Sequence, residues 1–221
     1  MRVDFDAPRC EGCGLKFMHC LCAELPLLRS RTRFVLVRHR QERFKTSNTG
    51  RLLARCLPET AVADWSGRGE PWAPPTLPPG AVLLFPGEDA LPPSALATSA
   101  PITVVLIDGT WKQSRKMARM VPGLSALPRV ALPATRAPEM VLRRRVVPHG
   151  LCTIEAAAAL LLALGEEEAG EGLLTAWRLQ VRRILESKGQ DPDQRGAKLA
   201  ASGRALWRST DTETDTESGS G

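Results

Sequence analysis

The sequence has no hydrophobic run long enough to cross a bilayer and no apolar segment near its N-terminus. The longest uninterrupted apolar run covers nine residues, 156–164, whereas a membrane-spanning helix needs about 20. Asp4 and Asp6 stand where a secretory signal would be apolar, so we expect no such signal. Internal repeats are also absent, which argues against a repeat architecture. The expectation is a soluble cytoplasmic protein with no membrane partner and no obligate protein partner.

The length and composition fit one folded unit with a small added module. The chain has 221 residues, of which 43% are hydrophobic and 24% are charged. This is the size of one domain with extensions. A chain of this length buries a core without needing disulfide bonds.

Positive charge dominates the chain once its C-terminal end is set aside. Residues 209–221 are Ser, Thr, Gly and four acidic residues, a composition that predicts a disordered tail. The remaining residues carry 30 basic and 20 acidic side chains. Arg supplies 24 of the basic side chains, and Arg suits bidentate phosphate contacts. This excess favours nucleic acid as a partner, then an anionic membrane surface; the alternative is an Arg-rich composition without such a partner.

Cysteine is clustered, because four of the six cysteines lie within thirteen residues in the pattern CxxC-x6-CxC: Cys10, Cys13, Cys20 and Cys22. In an intracellular chain this clustering indicates a metal site rather than disulfides. Four thiolates supply the tetrahedral shell of structural zinc, and Gly12 and Gly14 allow a turn that points amide groups at sulfur. We therefore expect a zinc knuckle. An iron–sulfur cluster is the alternative, and His19 could replace one cysteine; Cys56 is expected in the core.

Alternating strands and helices predict an α/β domain. We predict strands at residues 32–37, 60–65, 81–85, 102–107 and 129–132. We predict helices at residues 50–57, 112–120, 153–164 and 173–188, the first of them capped by Ser47 or Asn48. Two of the strands are continuously apolar, as are strands buried on both faces of a parallel sheet. The expected fold is a mostly parallel sheet flanked by helices.

The peptides that follow three of the predicted strands carry the candidate site. These peptides are residues 38–42 with 45–50, then Pro86-Gly87-Glu88, and then Asp108-Gly109-Thr110-Trp111. Each one alone is typical of a turn or a helix cap. In open α/β sheets, however, ligands bind outside the carboxyl ends of the strands. Three such peptides at equivalent strand ends therefore predict a site there.

The helix predicted after Asp108 has a basic face. Its four cations stand at spacings i, i+3, i+4 and i+7 and so share one side: Lys112, Arg115, Lys116 and Arg119. Like charges at these spacings repel by roughly a few tenths of a kcal/mol per pair. A phosphate backbone lying along this face would offset the repulsion, and the basic residues 143–145 could extend it. The alternative is a solvated basic face without a partner.

Five motifs occur together and in order along residues 8–190. They are the four-cysteine segment, His39-x-x-Glu42-x-x-Lys45-x-Ser47-Asn48-Thr49, Phe85-Pro86, Asp108-x-Thr110-Trp111-x-x-x-Arg115-Lys116-Met117 and Leu151-Cys152-Thr153-Ile154-Glu155-Ala156. In this order they resemble the DTW-domain family of tRNA-uridine aminocarboxypropyltransferases, and the compact N-terminus favours the bacterial type. Two positions depart from the family pattern, since Cys152 stands where Ser is usual and Arg40 replaces a frequent proline. Neither change removes a chemical group that we expect to be essential.

The resemblance implies a fold and a reaction. The fold is a SPOUT-like α/β domain with a knotted C-terminal half. The reaction transfers the 3-amino-3-carboxypropyl group of S-adenosylmethionine to N3 of a tRNA uridine and releases methylthioadenosine. The alternatives are a SPOUT-type RNA methyltransferase and a non-enzymatic, zinc-containing RNA-binding protein. We divide the chain into the zinc knuckle (1–25), the catalytic domain (26–190), a C-terminal helical extension (191–208) and the acidic tail (209–221).

The resemblance also implies roles for the motif residues. Asp108 is expected to be the general base, and Trp111 either stacks on a nucleobase or packs as a core wedge. The residues expected to bind S-adenosylmethionine are Ser47, Asn48, Thr49, Phe85, Pro86, Gly109, Thr110, Trp111, Leu151, Cys152 and Thr153. The residues expected to contact RNA are Arg38, His39, Lys45, Lys112, Arg115, Lys116, Arg119, Arg143, Arg144 and Arg145.

Overall fold

A parallel β-sheet forms the centre of the protein. The computed structural model describes residues 8–67, 69, 72–96, 101–133 and 150–194. Within them the strands are β1 (Arg33–His39), β2 (Ala61–Trp65), β3 (Val82–Leu84), β4 (Thr103–Asp108) and β5 (Arg129–Val130). Their order in the sheet is β2-β1-β4-β3-β5, and every neighbouring pair is parallel. The predicted parallel α/β sheet is confirmed.

Four α-helices flank the sheet in the described residues. They are α1 (Thr49–Cys56), α2 (Trp111–Met120), α3 (Thr153–Ala163) and α4 (Glu167–Glu186). The sequence prediction placed the start of the last helix at residue 173, and this start was wrong. The helix begins at Glu167, because two acidic side chains in its first turn favour a helix N-terminus. None of these helices is both long enough and apolar enough to span a membrane.

The central strand β1 is apolar on both sides because helices cover both faces of the sheet there. In β1, Phe34 and Leu36 lie in the apolar cluster that contains α1, α3 and α4. Val35 and Val37 alternate with them and lie in the cluster that contains α2. Successive side chains of a strand point to opposite faces, so a strand covered twice reads as an unbroken apolar run.

Helices α1 and α2 each begin at a residue whose side chain caps the helix. The Asn48 side chain accepts a hydrogen bond of 2.6 Å from the Arg51 amide and caps α1, so of the two predicted caps it is Asn48 that serves. Thr110 caps α2 in a reciprocal arrangement with Gln113. Both caps belong to the peptides predicted to carry the site.

The cysteine-rich segment shares its core with the sheet. Leu15 and Leu21 are buried in the same apolar cluster as Leu53 of α1 and Leu173 of α4. Cys56 is also fully buried in it, which confirms its predicted place in the core.

The four-part division of the chain stays a prediction. The residues 134–149, which lie in the half predicted to be knotted, and the residues 195–221 lie outside the described residues.

A carboxylate ahead of α4 ties that helix to the start of β1. Glu166 accepts hydrogen bonds from the Ser30 hydroxyl at 2.8 Å and the Arg31 amide at 2.7 Å. It also accepts bonds from the Thr32 amide at 3.2 Å and the Thr32 hydroxyl at 2.6 Å. Burial acts to raise the pKa of Glu166, but these hydrogen bonds outweigh it and lower the pKa.

Replacing Glu166 with Gln should lower the free energy of unfolding at pH 7, because Gln weakens the hydrogen bonds that the carboxylate accepts. The loss should be only about 1 kcal/mol, because solvent screens a half-exposed carboxylate. The pKa of Glu166 lies below its ordinary value of 4.5. The carboxylate therefore contributes stability above that pH, and the contribution shrinks as the pH falls through the lowered pKa. Urea unfolding of both proteins at pH 7 and pH 4 measures the difference. The exposed Glu171→Gln serves as control, and a Glu166→Gln loss that grew on acidification would contradict this account.

Candidate functional site

The site lies where the sheet changes its winding direction. Neighbouring strands β1 and β4 are followed by helices on opposite faces, since α1 packs on one side and α2 on the other. Open α/β sheets bind ligands at the carboxyl ends of two strands that are related in this way. Arg38 and Asp108 are register partners at this edge.

A buried carboxylate joins three of the predicted motif peptides. Asp108 ends β4 and is 4% exposed. Its Oδ2 accepts a hydrogen bond of 2.5 Å from the Asn48 amide group. Its Oδ1 accepts one of 2.7 Å from the Thr153 hydroxyl, at the start of α3. One side chain therefore fixes the N-termini of α1 and α3 against the end of β4.

Gly50 allows α1 to approach this carboxylate. A Cβ atom at this position would lie 2.6 Å from Asp108 Oδ2 and 2.7 Å from Leu36 Cδ2. Both distances are shorter than any ordinary van der Waals contact. The glycine in the first turn of α1 is therefore a steric requirement of the Asp108 junction.

The surroundings of Asp108 make it a stronger base than a solvated carboxylate. Burial raises its pKa, and the hydrogen bonds from Asn48 and Thr153 counteract part of that rise. The negative charge of Glu42 also raises the pKa of Asp108. Glu42 is itself 4% exposed and forms an ion pair of 2.5 Å with Lys45. A carboxyl group with a raised pKa at a strand end is typical of a functional site.

His39 stands at the end of β1 in a network that connects to α2. Its Nδ1 accepts a hydrogen bond of 3.3 Å from the Gln41 amide and lies 3.2 Å from Nε2 of Gln113. The Gln113 amide group also donates to the Gln41 side chain at 2.9 Å. Burial lowers the pKa of His39, so the ring is neutral at pH 7. Because Nδ1 accepts, its proton is assigned to Nε2.

Two residues predicted to contact RNA have acidic partners within the fold. Arg38 makes a bidentate pair with Asp64, with hydrogen bonds of 2.7 and 3.0 Å. Its side chain is only 12% exposed. Lys45 is paired with Glu42. The sequence did not point to Asp64 as a partner, because the pairing depends on the β1–β2 register.

Two aromatic rings and a guanidinium lie together beside the Asp108 peptide. The Phe85 and Trp111 rings have centroids 6.3 Å apart and an interplanar angle of 47°. The Arg129 guanidinium carbon lies 6.0 Å from the Phe85 centroid. In the described residues Arg129 has no acidic partner. Sequence reasoning missed Arg129, since a single arginine in a short strand carries no local signal.

The remaining residues predicted to bind S-adenosylmethionine surround this edge of the sheet. The Thr49 side chain hydrogen-bonds the Cys152 thiol, and burial raises the pKa of that thiol. Thr110 is engaged as the cap of α2. Pro86 is exposed. Ser47, Gly109 and Leu151 are partly exposed, as are Thr110 and Cys152.

The basic face of α2 is open to solvent. All four predicted residues are exposed, and none forms an ion pair within the described ranges: Lys112, Arg115, Lys116 and Arg119. The predicted extension by Arg143, Arg144 and Arg145 lies outside the described residues. Four exposed cations on one helix face form a surface that can bind a polyanion.

The cysteine cluster has the geometry of a metal site. The sulfur atoms of Cys10, Cys13, Cys20 and Cys22 all lie within 4.8 Å of one another. The Cys10–Cys22 and Cys13–Cys20 sulfur pairs are 3.6 and 3.8 Å apart. A tetrahedral ion with metal–sulfur bonds of about 2.3 Å requires sulfur pairs about 3.8 Å apart. The cluster can therefore hold a metal ion.

The backbone around the four sulfur atoms also fits a metal site. Hydrogen bonding by the Cys13 amide lowers the pKa of Cys10 to about 6, so amide groups do point at sulfur. Burial and then the neighbouring cysteines raise the pKa of Cys22 to about 12, because thiolates this close repel one another. A Cβ on Gly12 would lie 2.8 Å from the Cys22 sulfur, so this position has to be glycine for the cluster to close.

Comparison with known proteins finds similar sequences and a solved structure with partial similarity. The protein named tRNA-uridine aminocarboxypropyltransferase 2 from Mus musculus is 30% identical over 169 residues, which cover 71% of this chain and 56% of the relative. The protein of that name from Drosophila melanogaster is 29% identical over 171 residues, covering 71% of this chain and 66% of the relative. The chain thus spans less than two thirds of the length of these relatives.

The solved structure of the SAM-dependent rRNA:acp-transferase Tsr3 from Vulcanisaeta distributa is 23% identical, with a TM-score of 0.47 over 78% of this chain and 84% of that chain. A sequence profile of the DTW domain matches residues 7–185. With four fifths of its length matched by that profile, the chain belongs to the DTW-domain family.

Proposed function

We propose that this protein transfers the 3-amino-3-carboxypropyl group of S-adenosylmethionine to N3 of a uridine in tRNA. The observation that carries the proposal is the convergence of three motif peptides on the buried Asp108 carboxylate. Two relatives are named as aminocarboxypropyltransferases acting on tRNA uridine, which supports the same reaction here. A tRNA-modifying enzyme acts where tRNA is, so we assign the protein to the cytoplasm.

The residues beside Asp108 fit S-adenosylmethionine as the group donor. Phe85 and Trp111 offer apolar rings suited to an adenine ring. Arg129 offers guanidinium donors suited to the carboxylate of the methionine chain. Together with the Asn48 and Thr153 peptides, these groups would hold the methionine chain with its γ-carbon turned toward the uridine.

Asp108 would act as the general base. The N3–H group of uridine is a weak acid and a poor nucleophile until its proton is removed. A carboxylate offers about four acceptor sites, and Asp108 uses two of them for the bonds from Asn48 and Thr153. As N3 bonds to the γ-carbon, the carbon–sulfur bond breaks and its electron pair stays on sulfur, which gives methylthioadenosine. The N3 proton passes to Asp108 and then to water.

The other tasks of the protein are orientation and RNA binding. Because the sulfonium is already a good leaving group, catalysis depends mainly on holding the two reactants in line. The basic face of α2 would bind tRNA phosphates, which fixes the position of the RNA without reading its sequence. The target uridine has to leave its stack to reach Asp108.

The metal held by the cysteine cluster is proposed to be structural zinc. Four sulfur ligands leave no open coordination position, which is the pattern of structural zinc rather than of catalytic zinc. The cluster is joined to the main core through the buried Leu15 and Leu21. Zinc would therefore stabilise the packing of residues 8–25 against α1 and α4.

Replacing Asp108 with Asn should reduce product formation by about 10²–10⁴-fold, since the variant keeps the shape and loses the base. The test incubates the protein with S-adenosylmethionine and unmodified tRNA transcripts, then digests the RNA and analyses its nucleosides by mass. The wild type should give uridine carrying the aminocarboxypropyl group together with methylthioadenosine.

A methylated uridine would favour a methyltransferase instead, and no product with retained RNA binding would refute the proposed activity. The exposed Asp89→Asn is the matched control.

Replacing Thr153 with Val should shift the acidic limb of the pH–rate profile to higher pH. The Thr153 hydroxyl bond lowers the pKa of Asp108 against the effect of burial, so its loss raises that pKa further. A base works only when deprotonated, and activity at low pH falls first. Thr175→Val, at an exposed position of α4, should leave the profile unchanged. An unshifted limb in the Thr153 variant would rule out Asp108 as the titrating base.

Replacing Cys20 with Ser should remove the bound zinc and lower the stability, because the binding energy of structural zinc contributes to folding. Metal analysis of the wild type should give one equivalent of zinc, and the Cys20 variant should give much less. Cys56→Ser, at a buried cysteine that is not one of the four grouped sulfurs, is the control that should keep its zinc. Iron in place of zinc, or a full equivalent in the Cys20 variant, would contradict the assignment.

A further inference from the structure

Phe44 is an exposed aromatic side chain that the proposed reaction does not use. It is 80% exposed, and it belongs to the 3₁₀ turn Arg40–Phe44 that links β1 to the α1 cap. Aromatic residues make up only 5% of the chain. A single exposed apolar residue is ordinary on a protein surface, so its meaning depends on what surrounds it.

The turn directs Phe44 toward the α2 side of the sheet edge. In a 3₁₀ turn, side chains at positions i and i+3 lie one above the other, so Phe44 shares a side with Gln41. The Gln41 side chain accepts a hydrogen bond of 2.9 Å from Gln113 of α2. Phe44 therefore lies on the surface that continues into α2.

The turn is held firmly, which keeps Phe44 from folding inward. Arg51 donates a hydrogen bond to the Arg43 carbonyl at the base of the turn. Glu42 is buried and paired with Lys45. The backbone amide of Lys45 closes the turn on the Glu42 carbonyl at 3.1 Å. Because the backbone of the turn is already ordered, binding of a partner by Phe44 costs little backbone entropy.

Cations from two elements lie near the end of β1, where the turn that carries Phe44 begins. Arg40 of the turn is exposed, and both Arg40 and Lys116 act on the pKa of His39, which places their charges close to the end of β1. Lys112 lies one turn before Lys116 on the same helix face. None of these three cations has an ion-pair partner among the described residues. We call Arg40, Phe44, Lys112 and Lys116 the basic-aromatic surface.

We propose that the basic-aromatic surface binds unpaired nucleotides of the RNA next to the target uridine, with Phe44 stacked on one base. This rests on the proposed function. Cations that bind phosphates beside an exposed ring that stacks on a base are the combination used for single-stranded nucleic acid. A lipid surface fits less well, because membrane-binding segments need a broad apolar face and this surface has one ring.

The test measures RNA affinity over a salt series with a tRNA stem-loop that carries 2-aminopurine in its loop. Phe44→Ala should weaken binding by about 5- to 100-fold, which corresponds to the loss of one stacked base. The slope of log affinity against log salt should stay unchanged, because no counterion is released by stacking. A Lys112→Glu/Lys116→Glu variant should reduce that slope. Phe44→Trp should bind as the wild type does and quench the 2-aminopurine fluorescence.

Phe17→Ala is the matched control. Phe17 is also exposed, at 61%, but its turn packs against α4 on the opposite face of the sheet from α2. The Phe17 variant should keep full RNA affinity, and circular dichroism checks that all variants fold. Wild-type affinity in Phe44→Ala would overturn the proposal. The proposal would also be overturned if Phe44→Ala bound RNA normally but lost binding to phosphatidylserine vesicles or to a protein partner.

The outcome is separable from that of the proposed function. If the aminocarboxypropyl product forms and Phe44→Ala binds RNA normally, the surface assignment fails alone. If no product forms but Phe44→Ala weakens RNA binding at constant salt slope, the surface assignment stands and the proposed reaction fails.

Discussion

The hydrogen bonds from Asn48 and Thr153 to the buried Asp108 carboxylate are the constraint on which the site depends. They bring the N-termini of two helices to the end of the central strand β4. Gly50 is required for this approach, since any side chain there would collide with the carboxylate. A buried charge is costly unless it is hydrogen-bonded, so the three segments can assemble only together. Burial of the carboxylate at this junction raises the pKa of Asp108, which gives the protein a base at a ligand-binding edge.

The other groups of the site are positioned relative to this junction. The peptide after Asp108 starts α2, whose first residue Trp111 lies beside Phe85 and whose exposed face is basic. Gln113 of α2 joins His39 and Gln41 at the end of β1. The proposed donor pocket and the basic-aromatic surface thus lie on either side of the same strand ends. A flipped uridine held between them would meet the methionine chain at Asp108.

Much of this arrangement could be predicted from the sequence because it depends on local signals. Strands β3 and β4 lie in continuous apolar runs, Asn48 is a strong cap, and the motif peptides follow strand ends. The partners of Arg38 and the burial of Glu42 could not be predicted, because they depend on strand register and tertiary packing. Arg129 joins the site only through the pairing of β3 with β5. The early start of α4 was missed because its first six residues, 167–172, have no large apolar side chain.

The most direct test is a carbon-13 NMR titration of the Asp108 side-chain carboxyl in the full-length protein. The account predicts a pKa above the ordinary value of 3.8, because burial outweighs the two hydrogen bonds. Asp89, which is exposed, provides a reference carboxyl in the same spectra. A value for Asp108 at or below 3.8 would mean that the carboxylate is stabilised as an anion. That result would contradict the proposal that Asp108 is a base with a raised pKa.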